Sequence, residues 1–403
     1  MSRPLEPTDV PKVVIDLTSV IPGRGGGVER VAVGVINGLG QLGVETHGLI
    51  AQNSASAWSE AFPSGAGVAL EEVRISLRAG SRWQSALRVV LPSTVKRSRL
   101  VGWVRGRRSQ AVRAASVAST VWYPFHRAVA SADSSVVTVH DLRVFQADMA
   151  SQMDQQIISA NIRSAKAIVC SWAHPYNEIL ELFPEAGDKL FRIPLPVLNA
   201  GPPTVRRFSP GSRLKLLYPA FVTPHKNQEL IVRALKLLPD VEVTFTGADN
   251  ETYGVEMKGL AKELGVDERI QWAGYVSVPE LERAYQQADL LVMPSRWEAA
   301  SGPIFEAVSR GLPFLAADIP PVRSQVLDLG IDEALFGVDD HEELARLIRA
   351  VAENYDSRVK ALADPGEKIR TRTWQETAAD YARVFAWAAG GLDKPTDLQG
   401  TRP

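Results

Sequence analysis

Short apolar runs of strand length alternate with amphipathic stretches of helix length through most of the 403-residue chain. This alternation predicts parallel strands buried on both faces and joined by helices, which is an α/β architecture. It stops over residues 201–213, which are rich in Pro, Gly and Ser, and starts again at Leu214. We therefore expect two Rossmann-like domains, residues 1–200 and 214–372, joined by a linker. The strand-like runs are Lys12–Asp16, Gly43–Ile50, Thr120–Tyr123, Ser135–Val139, Ala167–Cys170, Leu214–Tyr218, Val241–Phe245, Ile270–Gly274, Ala288–Met293 and Leu312–Ala317.

Length supports the same division, because 403 residues exceed what a single hydrophobic core usually holds. After the second domain, residues 373–390 have the periodicity of an amphipathic helix. Residues 391–403 are polar, and we expect them to form a frayed tail.

Composition excludes several classes of protein. The hydrophobic content of 45%, the charged content of 23% and the net charge of −1 are ordinary for a globular protein and give no reason to expect nucleic acid as a partner. The single cysteine, Cys170, lies in an apolar run, which predicts a buried structural thiol and a reducing compartment. No apolar run reaches the roughly 18 residues that span a membrane, and the first residues lack an apolar signal region, so we expect a cytoplasmic protein. The six histidines have no metal-ligand spacing, and no bound metal or cofactor is expected.

Residues 73–132 are strongly basic. They contain twelve Arg or Lys residues and no Asp or Glu, with Trp and Leu residues interleaved. This composition is typical of a segment that lies on an anionic membrane surface, which would make the protein peripheral on the inner face of the plasma membrane, with residues 73–115 as the contact. A solvated basic face is the alternative, and a strip for nucleic acid is a third, although no recognition motif accompanies it.

The stretch from Pro294 to Glu306 carries the clearest chemistry. It follows a strand-like run and leads into a short helix, with Pro303 suited to the first helical position. The loop therefore brings free backbone N–H groups and the positive end of a helix dipole to one spot, which favours an anion. Glu298 and Glu306 flank that spot and could accept hydrogen bonds from the hydroxyls of a ribose and a sugar. An ordinary βαβ corner with two solvated glutamates is the alternative.

Three further features are candidate site residues. A glycine loop over residues 22–28 follows the first strand, as in nucleotide-binding α/β units, but it lacks the GxGxxG spacing of dehydrogenases and also fits a plain tight turn. His140 follows a strand end, where α/β sheets place ligand groups, and Asp141 comes next. Lys226 precedes a helix and could neutralise a phosphate. A structural histidine and a surface lysine are the alternatives.

With these stretches in order, the chain resembles the retaining nucleotide-sugar glycosyltransferases of family 4. That family carries two glutamates in a Glu-Gly-Phe-Gly-Leu-Pro-x-x-Glu pattern, which stands here as Glu-Ala-Ala-Ser-Gly-Pro-Ile-Phe-Glu over Glu298–Glu306. The flanks, residues 288–295 and 307–313, also agree. The resemblance implies a GT-B fold, in which two Rossmann-like domains face each other across a cleft and the helix at 373–390 returns to the N-terminal domain.

The resemblance also implies roles for individual residues. Glu298, His140 and Lys226 would act at the reaction centre, with Glu298 on the donor sugar and Lys226 on the diphosphate. Glu306 would accept hydrogen bonds from the ribose hydroxyls. The remaining nucleotide-sugar contacts would come from Gly26 and Gly27, Thr246 and Gly247, Tyr275 and Val276 beside the base, and the backbone of Ala300, Ser301 and Gly302.

Several positions depart from the family pattern. The Gly-Arg-Leu that usually precedes the phosphate lysine is replaced by residues 219–226, which contain no arginine. The Gly-Phe-Gly within the glutamate motif is Ala299–Ser301, and an acidic residue after the next strand is Gln325.

The expected function is metal-independent transfer of a sugar, with retention, from a UDP or GDP sugar to an acceptor hydroxyl. The acceptor would be a carbohydrate, a lipid-linked sugar or a small molecule, in the synthesis of cell-surface polysaccharide or glycolipid. An epimerase or phosphorylase on the same frame is one alternative. A degenerate subunit that supports a partner transferase is another, and the missing arginine motivates it.

Overall fold

The structure is a computed structural model that describes residues 9–20, 26–62, 67–73, 108–115, 119–126, 134–145, 152–197, 200–209, 211–249, 251–331 and 334–400. The chain divides into two compact units, of which the first comprises Met1–Leu195 with Thr373–Pro403 and the second Pro196–Arg372. The sequence places the linker at residues 201–213, whereas the division falls at Leu195 because Arg206 is buried within the second unit.

The first unit contains a parallel sheet of seven strands in the order β3-β2-β1-β4-β5-β6-β7. Val13 and Ile15 enter one hydrophobic core and Val14 enters the other, so the sheet is buried on both faces, as its apolar runs predict. The strands are β1 Val13–Asp16, β2 Thr46–Ala51, β3 Val68–Val73, β4 Thr120–Tyr123, β5 Ser135–Thr138, β6 Ala167–Cys170 and β7 Leu190–Arg192.

Helices cover this sheet, and the C-terminal helix belongs to the same unit. Gly34 and Gly38 lie against Trp374 and Ala378 so closely that a Cβ at either glycine would come within 2.5 Å of them. The small residues of the first helix therefore allow the two helices to approach. The helices are α1 Gly26–Gln41, α2 Ala55–Ala61, α3 within the described residues 108–115, α4 Gln152–Ser164, α5 Ala173–Leu182 and, at the C-terminus, α14 Trp374–Ala388.

The second unit contains a parallel sheet of six strands in the order β10-β9-β8-β11-β12-β13. The strands are β8 Leu214–Pro219, β9 Val241–Thr246, β10 Ile270–Gly274, β11 Leu290–Met293, β12 Phe314–Ala317 and β13 Leu335–Phe336. The helices are α6 Gln228–Leu235, α7 Glu251–Glu263, α8 Val278–Gln287, α9 Gly302–Ser309, α10 Pro320–Asp328, α11 His341–Glu353, α12 Tyr355–Ala361 and α13 Ala363–Thr371. Strand order reverses between β8 and β11, which is where open α/β sheets bind ligands.

The structure corrects the prediction of a frayed tail at 391–403. Among the residues described, up to Gly400, Leu398 is buried and Arg383 forms an ion pair with Asp397. The Tyr176 hydroxyl also donates a hydrogen bond to the Gly400 carbonyl. These contacts fix the segment against the first unit, which the polar composition alone does not reveal.

The basic segment at 73–132 lies largely outside the described residues. Of its described members, Arg108 donates a hydrogen bond to the buried Asp16 carboxylate at 2.8 Å, so this arginine is part of an internal ion pair. The membrane hypothesis for the rest of the segment stays a prediction.

Candidate functional site

The strand reversal in the second unit brings two predicted loops together. The loop after β8 contains residues 220–226, and the loop after β11 contains Pro294–Ser301. The backbone N–H of Arg296 donates to the carbonyl of His225, and the amide of Asn227 donates to the carbonyl of Pro294. Lys226 and the glutamate motif therefore meet at the carboxyl ends of β8 and β11.

Lys226 and Glu298 form an ion pair. The Lys226 Nζ lies 2.5 Å from the Glu298 Oε1, and the two side chains are 20% and 11% exposed. The sequence assigns these residues to different parts of a ligand, whereas the structure joins them to each other. An ammonium held by a carboxylate at a ligand-binding edge can rearrange towards a second anion, since it has three donors.

Tyr218 and Asn227 hold the two loops that carry this pair through buried hydrogen bonds. The Tyr218 hydroxyl donates to the carbonyl of Lys226 and lies 2.7 Å from the Ser295 hydroxyl. Burial raises the pKa of Tyr218 well above 10, so it stays protonated. Asn227 has a φ of 56°, the left-handed conformation that asparagine tolerates better than most residues, and it immediately precedes α6. Both loops are thus fixed by buried polar side chains.

Helix α9 begins at Gly302 with Ser301 at its N-cap, and Pro303 lies in its first turn, as the sequence predicts. The side chain of Ser301 does not cap the helix, however, because its hydroxyl donates to the sulfur of Met293. Its backbone N–H donates to the Gln325 Oε1 at 3.0 Å. This corrects one expectation, since the Ser301 N–H is engaged by the protein. Ala300 is half-buried and Gly302 exposed beside it, at the positive end of the helix.

Glu306 lies one turn into α9 and is 8% exposed. Its Oε2 accepts a hydrogen bond of 2.8 Å from the hydroxyl of Tyr285 in α8. A carboxylate offers about four lone-pair positions and can accept several hydrogen bonds at once. The residue is therefore a buried acceptor close to the helix start, rather than a solvated glutamate.

The nucleotide positions predicted after β9 and β10 lie beside each other. Gly247 has a φ of 122°, and a Cβ there would lie 2.5 Å from the Ala220 carbonyl oxygen, so glycine is required. Its N–H donates to the carbonyl of Gly274 at 2.6 Å. Thr246 is buried, whereas Tyr275 is 84% exposed. Thr246 and Val276 also line a polar groove of about 610 Å³, which none of Lys226, Glu298 and Glu306 lines.

Three predicted residues belong to the first unit. Gly26 and Gly27 form the first turn of α1, and a Cβ at Gly27 would meet no atom within 4 Å. The His140 Nε2 lies 2.9 Å from the Pro124 carbonyl, which assigns the proton to that nitrogen and leaves Nδ1 as the acceptor. Burial lowers the pKa of His140 below its usual 6.5, so the ring is neutral at pH 7. The neighbouring carboxylate of Asp141 accepts from Arg143.

Several supporting residues have no local sequence signal. Tyr218, Tyr285 and Gln325 contact the site across 8 to 77 residues of sequence, through hydrogen bonds that periodicity does not encode.

Cys170 is a buried free thiol, as its apolar run predicts. Among the described residues, no helix combines the length and apolar character needed to cross a membrane, and no group of three or more His, Cys, Asp or Glu side chains could hold a metal ion.

Comparison with known proteins identifies a family model that matches part of the second unit and several curated relatives. Residues 206–370 match the family model described as "Glycosyl transferases group 1". The D-inositol 3-phosphate glycosyltransferase of Mycolicibacterium gilvum is 29% identical over 170 residues, covering 41% of this chain and 35% of the relative. That of Xylanimonas cellulosilytica is 27% identical over 253 residues, covering 58% and 59%. The match therefore spans between about one third and three fifths of the length of these curated relatives.

Solved structures share the fold of nearly the whole chain. Sucrose-phosphate synthase from Thermosynechococcus elongatus superposes with a TM-score of 0.70 at 14% identity, covering 94% of this chain and all of that one. Anabaena HepE in complex with UDP and glucose has a TM-score of 0.65 at 16% identity, covering 92% and 98%. Together with the two parallel sheets, these similarities identify the fold as GT-B.

Proposed function

We propose that this chain, of which residues 206–370 belong to the group 1 glycosyl transferases, transfers a sugar from a nucleoside diphosphate sugar to an acceptor hydroxyl. One observation carries the proposal: Lys226, Glu298 and the start of α9 meet at the strand reversal of the second unit. Glu306 lies one turn further along the same helix. A lysine at a helix start favours a phosphate, and the two carboxylates beside it can accept hydrogen bonds from hydroxyl groups.

Negative charge develops on the diphosphate as the bond to the sugar breaks. We propose that the Lys226 ammonium and the N–H groups at the start of α9 stabilise that charge, because they are preorganised and need little rearrangement. Before the donor binds, Glu298 holds the ammonium in place. When the diphosphate takes up the ammonium, the Glu298 carboxylate becomes available to sugar hydroxyls.

We further propose that transfer retains the anomeric configuration and needs no metal. The positive charge that a divalent cation would bring to the diphosphate is supplied here by Lys226 and the dipole of α9. Retention is supported by the resemblance of the glutamate motif to the retaining family. Both glutamates belong to the second unit and serve as hydroxyl acceptors, so neither is assigned as a nucleophile.

The proposed donor is a UDP or GDP hexose. UDP is favoured because HepE, which shares the fold, is described in complex with UDP and glucose. Acceptors to be tested include inositol 3-phosphate, the compound in the names of several relatives, along with lipid-linked sugars and polysaccharide fragments. A role in cell-surface polysaccharide or glycolipid synthesis, and peripheral attachment to the inner face of the plasma membrane through the basic segment, are proposals that rest on the sequence.

A product assay tests the function. The chain is incubated with UDP and GDP sugars and with each acceptor, the released nucleoside diphosphate is quantified, and the anomeric configuration of the product is read by proton NMR. We expect acceptor-dependent release and a product with the donor's anomeric configuration, unchanged by EDTA. Conversion of the donor sugar without transfer would indicate an epimerase instead. Failure to bind any nucleotide sugar would indicate a supporting subunit.

A further inference from the structure

Tyr285 is a buried tyrosine on the last turn of α8, and its hydroxyl reaches the candidate site. Its exposure is 0%, and the hydroxyl donates to the Glu306 Oε2 at 2.8 Å. A buried hydroxyl needs a partner, and a carboxylate is the strongest acceptor that a protein offers. The hydrogen bond therefore links α8 to the side chain that the proposed function assigns to the ribose.

Two arginines hold Tyr285 in place. The guanidinium of Arg310 lies over its ring, 4.6 Å from the centroid, and also donates to the Glu306 carbonyl at 2.9 Å. Arg310 is in turn paired with the Glu282 carboxylate. Arg206, which precedes β8, donates to the Tyr285 carbonyl at 2.8 Å. This bond supplies a donor to a carbonyl at the end of α8, where carbonyls lack intrahelical donors. The ring of Tyr285, the end of α8 and the backbone of Glu306 are thus linked through these two arginines.

The protonation state of Tyr285 determines which group donates the hydrogen bond. Burial raises the pKa of Tyr285 well above 10, and the nearby charge of Glu306 raises it further. The phenol therefore stays protonated across the working range of pH and is always the donor. The Glu306 Oε2 accepts this hydrogen bond, so the bond restricts the rotation of the Glu306 side chain.

We infer that Tyr285 is a positioning residue that fixes the Glu306 carboxylate to accept hydrogen bonds from the ribose hydroxyls of the nucleotide. The inference rests on the proposed function. Tyr285 does not touch the ligand and acts through Glu306 alone. Its loss should therefore weaken recognition of the ribose hydroxyls specifically, rather than recognition of the base or the diphosphate.

The test compares two probes on two proteins. Binding of UDP and of 2′,3′-dideoxy-UDP is measured by calorimetry for the wild type and for Tyr285→Phe, which keeps the ring and removes the hydroxyl. We expect UDP to bind about 5- to 10-fold more weakly to the variant, whereas the dideoxy compound should change less than about twofold. The full-length chain is used throughout, and melting temperatures verify that the variant is folded.

Tyr381→Phe is the matched control. Tyr381 is also fully buried, but it belongs to the first unit, and its hydroxyl shares a hydrogen bond with the Thr138 hydroxyl rather than with the site. Its removal should lower the melting temperature and leave the ratio of the two affinities unchanged. Glu306→Gln should abolish most of the ribose preference, and adding Tyr285→Phe to it should cause no further loss, since coupled residues are not additive.

The outcomes separate the inference from the function on which it depends. If the wild type binds neither UDP nor GDP, the proposed function is wrong; if it selects GDP, the same comparison is made with the guanosine compounds. If Glu306→Gln loses the ribose preference and Tyr285→Phe keeps it, the inference alone is overturned. Equal weakening of both probes would also overturn it, because that is what a purely structural role produces. Should Tyr285→Phe not fold, Tyr285→Met, which also removes the hydroxyl, takes its place in the same comparison, and an unchanged ribose preference there contradicts the inference.

Discussion

Replacing Lys226 by Met separates its structural role from its chemical one. Met keeps the length of the side chain and removes the ammonium, so Glu298 loses the cation 2.5 Å away. Both side chains are less than a third exposed, and a hydrogen bond to a charged group contributes about 1.5–3 kcal/mol. We expect the free energy of unfolding to fall by about that amount. For a domain of this size, the melting temperature should fall by roughly 3–12 °C.

The double variant Lys226→Met with Glu298→Gln removes the uncompensated carboxylate. We expect it to recover about 1–2 kcal/mol relative to Lys226→Met, because residues in direct contact couple by about 0.5–3 kcal/mol. Transfer should not recover, because the diphosphate still lacks its counter-charge. By analogy with the loss of one oxyanion donor, kcat should fall about 10²- to 10³-fold in both variants.

Urea unfolding and release of nucleoside diphosphate are measured on the same preparations. Arg233→Met is the control, since Arg233 pairs with Glu229 on an exposed helix surface, where the loss should be below about 1 kcal/mol. Near-normal transfer by Lys226→Met would refute the assignment of this lysine to the diphosphate. A double variant no more stable than Lys226→Met would refute the ion pair as the source of the loss.

Three further predictions concern the surroundings of the site. Gln325→Leu should lower the free energy of unfolding in urea by about 1–3 kcal/mol, because it leaves the buried Ser301 N–H without an acceptor. Gln325→Glu should keep the stability but bind UDP several-fold more weakly, since it brings negative charge to a helix start. Equal binding of UDP by the two variants would contradict this reasoning. Gly247→Ala should lower the free energy of unfolding by about 1–3 kcal/mol, because the φ of Gly247 is 122° and a Cβ there would meet the Ala220 carbonyl. Gly259→Ala, where a Cβ on α7 would meet no neighbouring atom, should be neutral or stabilising by about 0.5–1 kcal/mol. Thermal melts that rank the two variants the other way would contradict the strain at Gly247. Burial lowers the pKa values of His140 and His174, so the unfolded chain takes up protons first and stability falls as pH drops below about 6.5. His140→Gln should reduce that slope in melts between pH 5 and 8, and an unchanged slope would show that His140 is not responsible.

The strands of both sheets could be predicted because most are buried on two faces and appear as continuous apolar runs. Strand β3 is different, since it lies at the edge of its sheet, where only Val73 is buried and both Glu71 and Glu72 are exposed. Helix α10 begins with Pro320 and Pro321, which suit a first turn but resemble a loop when read as sequence. The C-terminal tail is ordered by scattered contacts that have no periodic pattern.

The site could be predicted as far as its motif extends. Glu298 precedes a proline-started helix, Glu306 lies one turn into that helix and Lys226 precedes another, so local chemistry made them candidates. Their direct partners could not be found this way. Gln325 acts through a contact made across 24 residues of sequence, and Tyr285 reaches Glu306 only because α8 and α9 are brought together by the sheet.

The most direct test of the proposed donor site is a calorimetric titration of the chain with UDP and GDP sugars. We predict that one of them binds once per chain and that Glu306→Gln weakens it roughly 10- to 100-fold, as expected for a lost hydrogen bond to a charged acceptor. Glu342→Gln, on the surface of α11, should bind as the wild type does. Absence of binding to any nucleotide sugar, or equal affinity in Glu306→Gln and the wild type, would contradict a nucleotide-sugar site at the start of α9.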